Sequence, residues 1–214
     1  MPTQSFKTTH HEKDHKPQQA AIKTLRDWAE HPYLIVSFTT HPQQPDTFLE
    51  IAFLDSLGNA YQSFIKPRVL QPIADAGLQP QGLSRQDFRL ALHWDFFQEA
   101  FLQVLNKRVY RHHLTNNANL FNQLLAHHYQ AYTTVTLPRF SDVLEIFCPL
   151  SAAISGAEKS LRRRPDGLNQ LLASRGLVAA TSNRPVYRPL EGCQIIEKLL
   201  KQYYQSLQSP KVRQ

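Results

Sequence analysis

The chain is poor in cysteine, glycine and acid, and each shortage removes a class of function. Cys148 and Cys193 stand alone with no CxxC spacing, which excludes a zinc knuckle and gives no basis for a disulfide framework. Both lie in apolar, helix-like contexts and read as buried thiols of a reducing compartment. Glycine, 7 of 214 residues, nowhere gathers into a phosphate-cradling loop, and neither a nucleophile elbow nor an HExxH helix is present. No apolar run is long enough to span a bilayer. The polar start MPTQSFKTTHHEKDHK lacks the hydrophobic region of a signal peptide, so the expected location is cytoplasmic, without a membrane partner. Acids are outnumbered, 17 against 24 Lys and Arg, for a net charge of +7. That balance favours polyanionic partners, nucleic acid first.

What is present is enough apolar material, 42% of the chain, for one well-buried α/β domain. Residues 1–17 read as a mobile polar arm, 18–206 as the folded domain and 207–214 as a basic tail. His10, His11 and His15 in the arm are taken as a solvated tract rather than a metal site. From Gln18 to Glu30 the apolar residues Ala21, Ile22, Leu25, Trp28 and Ala29 fall at helical spacing, and Pro32 ends that helix. Three strands follow at 34–38, 48–54 and 60–65, the last two joined through Asp55-Ser-Leu-Gly58-Asn. Helical patterns are predicted at 84–90, 95–105, 119–129, from Ser141 onward, at 167–174 and at 190–204, with short strands at 109–110 and 133–137. A β-meander followed by alternating helices and strands predicts an α/β domain.

The letters inside these elements resemble the DnaQ-like (DEDD) 3'-5' exonucleases. LEIAFLDSLGNAYQSFIKPR is similar to that family's second and third strands, with Glu50, Gly58, Pro67 and Arg68 matching as they stand. Gln81-Gly82-Leu83-Ser84 resembles a His-Gly-Ile-Thr segment. Ser141-Asp142-Val143-Leu144 resembles the family's Asp-Thr-Leu helix start, and the run Gly167 to Leu172 a later helix of the family. Tyr187-Arg188-Pro189-Leu190-Glu191-Gly192-Cys193 resembles the third motif. The resemblance implies a ribonuclease H-like fold: a mixed five-stranded sheet, antiparallel meander plus two shorter strands, with helices on both faces.

It also implies where chemistry would lie. The family holds two divalent cations on four carboxylates, and the cations activate water and stabilise the in-line transition state at phosphorus. Here those positions carry Ser37, Thr39, Asn117 (or, in the other register, Thr115) and Gly192, with Tyr187 at the general-base position. Four neutral replacements leave no oxygen set for hard cations, so the expectation is a pseudoenzyme with no catalytic residues, no metal and no cofactor. Mg²⁺ or Mn²⁺ would be required only under the alternative of a divergent, active exonuclease. Glu50, Asp142 and Glu191 are the acids left nearby; they read as a strand residue, a helix start and a helix residue turned about 100° from Gly192.

A cleft without carboxylates has no need of metal before it meets phosphate. Arg111, His112, Arg162, Arg163, Arg164, Arg184 and Arg188, with His113 beside them, are the candidate nucleic-acid contacts, single strands being favoured. The expected function is binding nucleic acid or a nucleic-acid-processing partner. The remaining alternative is a protein-interaction scaffold that binds no nucleic acid.

Overall fold

In a computed structural model of the chain, residues 12–68, 78–79, 82–132, 135–155 and 188–208 are described. The leading helix α1 covers Glu12–Glu30 and buries Ala21, Leu25 and Trp28, the stripe expected from its spacing. It starts at Glu12 rather than at Gln18. Apolar periodicity marks the packed part of a helix and says nothing of polar turns before it.

Strand β1 (Tyr33–His41) is the near-continuous apolar run expected at the centre of a sheet. It pairs antiparallel with β2 (Gln44–Asp55), from Leu34↔Asp55 to Thr39↔Glu50, and β2 pairs antiparallel with β3 (Ala60–Lys66). Asp55 sets the β2–β3 turn: its Oδ1 accepts from the N–H groups of Leu57 and Asn59, both at 2.9 Å. Gly58 supplies the left-handed φ of +86° that the turn requires. The hydroxyl of Tyr110 donates to Asp55 Oδ2 at 3.0 Å, so the segment after the second helix locks onto the same carboxylate.

Among the described residues the sheet has six strands, in the order β4-β3-β2-β1-β5-β6, where five were expected. β4 (Leu92–His93) and β6 (Ser141–Asp142) are two residues each, too short for side-chain alternation to reveal. The strand expected at 109–110 is a turn; pairing begins two residues later in β5 (His112–Thr115), after the amides of Arg111 and His112 have both donated to the Pro32 carbonyl. Of the strand expected at 133–137, residues 135–137 are irregular and the other two lie outside the described residues. The helix expected at 84–90 is a single 3-10 turn, Arg85–Phe88. The helix expected at 167–174 lies outside the described residues.

Helices α2 (Trp94–Leu105), α3 (Ala118–His128), α4 (Val143–Ser155) and α5 (Pro189–Gln208) complete the two layers. Alternation in β1 divides the core. Tyr33 and Ile35 face a cluster with Trp28 of α1, Phe147 of α4 and Cys193, Ile196 and Leu199 of α5. Leu34 and Val36 face Phe97 and Phe101 of α2 and Phe121 and Leu124 of α3. Asp142 joins two helix starts, accepting from the N–H of Leu144 at 2.9 Å and of Ala118 at 3.3 Å. Ser141 is therefore a strand residue, and the cap expected of it is supplied by Asp142. Among the described residues no helix is long and apolar enough to cross a membrane.

Candidate functional site

Alternation continues past Ile35, so Ser37 and Thr39 project from the same face of β1, toward the first turn of α5. The pair Thr39↔Glu50 puts the Glu50 side chain on that face, and Glu50↔Phe64 and Ala52↔Gln62 add Phe64 and Gln62 from β3. Gly192 closes the site from above: a Cβ added there would lie 2.8 Å from Ser37 Oγ. Two of the positions expected to come together, Ser37 and Gly192, are therefore in contact.

Asn117 stands just past the end of β5, the strand that runs parallel to β1 through Ile35↔Leu114. It caps α3, its Oδ1 accepting from the N–H of Leu120 at 3.3 Å. Thr115, the other register, is fully buried, with a hydroxyl that has no hydrogen-bond partner. By strand alternation Thr115 sits on the opposite face from Leu114, away from Ser37. Tyr187 lies outside the described residues.

Glu50 governs the electrostatics of the site. Its side chain is 0% exposed, and a carboxylate so buried requires a partner. Arg188, at the head of α5, supplies it: Nη2 donates to Oε1 at 2.8 Å and Nε to Oε2 at 3.0 Å. Gln62 Nε2 donates to Glu50 Oε1 as well. The guanidinium lies 5.1 Å from the Phe64 ring centroid, and its Nη1 reaches the Gly82 carbonyl at 3.4 Å. Gly82 adopts φ +67°, which lets the 82–84 loop pass over the arginine. Sequence reading took Glu50 as an ordinary strand residue and Arg188 as a phosphate contact. The available signal was a single charge inside the apolar run Leu49 to Phe53, which must find a cation.

Two divalent cations do not fit these residues. The Glu50 carboxylate is already neutralised by a guanidinium. Ser37, Thr39, Asn117 and Gly192 offer no anionic oxygen, and Thr39 Oγ1 is a buried hydroxyl without a hydrogen-bond partner. Cys193, one residue beyond Gly192, is equally unreactive: its thiol donates toward the Ile35 and Ala52 carbonyls, and burial pushes its pKa up to about 12.

Of the expected nucleic-acid contacts, Arg188 is 35% exposed beside Glu50. Arg111 Nη2 and His112 Nε2 both lie 3.2 Å from the Asp27 carboxylate, at the far end of β1. His113 turns inward, Nε2 contacting the Leu105 carbonyl at 3.0 Å. Arg162, Arg163, Arg164 and Arg184 lie outside the described residues.

The contact across Ser37 and Gly192 predicts the result of placing an acid there. Gly192→Asp would press a carboxylate against Ser37 in a buried turn whose cation, Arg188, is already paired with Glu50, and should destabilise the fold by about 3 kcal/mol. Adding Ser37→Gly should return about 1 kcal/mol by opening space. Urea unfolding of the two variants measures both. If Gly192→Asp matches the parent, α5 does not sit this close to β1.

No protein-family model matches the sequence, and no curated protein is detectably similar to it. Solved structures are. Cell-death related nuclease 4 (CRN-4) superposes with a TM-score of 0.60 at 14% identity, over 82% of this chain and 64% of that one. The nuclease domain of 3'hExo, a DEDDh family member bound to rAMP, gives 0.54 at 14% identity, over 83% of this chain and 92% of that one. Exonuclease I from Methylocaldum szegediense gives 0.58 at 14% identity, over 82% of this chain and 41% of that one. At these identities the likeness is one of fold, and the fold is the ribonuclease H-like fold of 3'-5' exonuclease domains.

Proposed function

We propose that this is an exonuclease-like domain that binds nucleic acid, single strands in particular, and does not cleave it. The observation that carries the reading is the Arg188 guanidinium seated on Glu50, beside Ser37, Thr39 and Gly192. A carboxylate already paired with a guanidinium is a poor ligand for a hard metal ion, which supports the reading. The net charge of +7 supports a polyanionic partner.

A second reading, a protein-interaction scaffold, gains support from the three described basic candidates, Arg111, His112 and Arg188, each of which faces an internal acid. Under the first reading the contacts fall to Arg162, Arg163, Arg164 and Arg184, with the outer edge of Arg188.

Labelled single-stranded and duplex DNA and RNA, incubated with purified protein in Mg²⁺ or Mn²⁺, should remain uncut. Single strands should bind at low salt, with affinity unchanged by EDTA and falling steeply with salt, because each neutralised phosphate releases condensed counterion. Replacing Arg162, Arg163 and Arg164 together with Ala should flatten the salt slope by up to about two units, at about 0.7 per single-strand contact. Digestion that EDTA abolishes and that survives repurification would restore the active-exonuclease alternative. Absence of binding to every probe would favour the scaffold.

A further inference from the structure

At the end of β1 remote from Ser37, three metal-ligating side chains meet. Asp27 and His31 stand four residues apart in and just after the last turn of α1, on one helical face. His112 opens β5 and pairs with Tyr33 across the parallel register. One donor atom from each of the three lies within 4.8 Å of the others. His112 Nε2 is 3.2 Å from Asp27 Oδ2, and His31 Nδ1 is 3.2 Å from Asp27 Oδ1 and 2.9 Å from the Asp27 carbonyl. The two imidazoles meet edge to face at 6.0 Å between centroids.

From these contacts we propose a transition-metal site, with Zn²⁺ as the ion, formed by Asp27, His31 and His112. Two imidazoles and one carboxylate are the donor set of an open zinc site, with a fourth position left for water. Tetrahedral coordination with ligands at about 2.0–2.1 Å needs donors about 3.4 Å apart, so closing from 4.8 Å is a matter of side-chain rotation.

Two further observations point the same way. His112 Nε2 is buried and meets no hydrogen-bond geometry, its neighbour being the Asp27 carboxylate at 3.2 Å, so the ring nitrogen and the carboxylate oxygen lie side by side as two ligands of one ion would. The backbones are also already fixed, since the Pro32 carbonyl accepts from both Arg111 and His112 at the junction of α1 and β5. The site is thus built on rigid elements, as a metal site should be.

Arg111 is the competing group. Its Nη2 lies 3.2 Å from Asp27 Oδ1, but the side chain is 57% exposed and free to swing into solvent. Metal and guanidinium are therefore alternative partners of one carboxylate, and a bound ion would fasten the end of α1 to the start of β5. The ligands lie about 20 Å along β1 from Thr39, at about 3.3 Å per residue, so the site is independent of the proposed binding function.

The test uses the full chain carrying His10→Ala, His11→Ala and His15→Ala, which removes the arm histidines as a rival ligand set. After EDTA stripping and dialysis against dilute ZnCl2, elemental analysis should find about one zinc per chain, and the melting temperature should rise on zinc addition. Co²⁺ in place of zinc should give the visible bands of a low-symmetry, four-coordinate ion. His31→Ala and His112→Gln should each weaken zinc binding by more than the roughly 10–100-fold cost of losing an outer-shell partner. Asp27→Asn, nearly isosteric, gives the same readout if a histidine variant fails to fold by circular dichroism. Zinc absent from the triple-alanine protein, or retained unchanged by the site variants, would overturn the proposal.

Discussion

Replacing Arg188 with Ala is expected to lower stability by about 2–4 kcal/mol. Breaking a buried ion pair by removing one partner costs about 3–5 kcal/mol, because the other charge is left uncompensated. The lower end applies here because Arg188 is 35% exposed and water can reach part of the gap, while Glu50 itself is wholly buried. At about 2–4 °C per kcal/mol for a domain of this size, the melting temperature should fall by roughly 5–15 °C. Arg188→Lys should fall between, since a point charge loses the two-pronged contact with Glu50 and the planar stacking on Phe64. The double variant Glu50→Gln, Arg188→Met should recover most of the loss, because an apolar replacement of the whole pair strands no charge. A melting temperature for Arg188→Ala equal to the parent's would mean that the arginine is not needed by Glu50. If nucleic-acid affinity fell in that same variant, its task would be phosphate.

Acidification gives the second large effect. Four histidines, His41, His112, His113 and His128, have their pKa lowered, in each case chiefly by burial. His128 stacks on Phe48 at 5.1 Å and against Trp94 at 4.4 Å, with Nε2 2.8 Å from the Asp46 carbonyl. His41 Nδ1 accepts from the amides of Gln43 and Gln44, so protonation at that nitrogen would break the β1–β2 turn. A lowered folded pKa means that the unfolded chain takes up protons first as pH falls. Stability is then full above about 6.5 and declines below it, by about 1.4 kcal/mol for each unit of pKa depression per group. Asp142 opposes this at lower pH: burial raises its pKa, against hydrogen bonds from Leu144 and Ala118, so its protonated form is relatively favoured in the fold. Urea midpoints should fall between pH 7.5 and pH 5, and His128→Gln should shallow the slope. A flat profile across that interval would show the rings to be hydrated.

The sequence made the central architecture readable and left the edges obscure, for a physical reason. β1, β2 and β3 are long enough for burial to impose a pattern, and their expected positions agree with the strands observed. β4 and β6, two residues each, are held by neighbours rather than by their own composition. In the site, Ser37 and Gly192 were identified through the resemblance, and their contact follows from the same face of β1 meeting α5. The Glu50–Arg188 pair was not foreseen as a pair, because 138 residues separate them and nothing local couples an arginine in a helix-start motif to a strand carboxylate. Arg111 and His112 were read as available cations. They answer instead to Asp27, a partner that only the parallel pairing of β1 and β5 reveals.

That separation also sets the order in which the molecule can be completed. Glu50 waits for a cation 138 residues later, and the Ile35 carbonyl for a thiol 158 residues later. At about 5–20 residues per second, the strand carboxylate spends roughly 7–30 s of synthesis without its partner. During that time the face of β1 and β2 destined for α5 remains uncovered by it, and such long-range closure is slow in itself. The helix that brings Arg188 to Glu50 therefore arrives long after the sheet it covers, and a ribosome-bound chain still lacking it would carry an unneutralised acid and open sheet surface, the state that chaperones recognise.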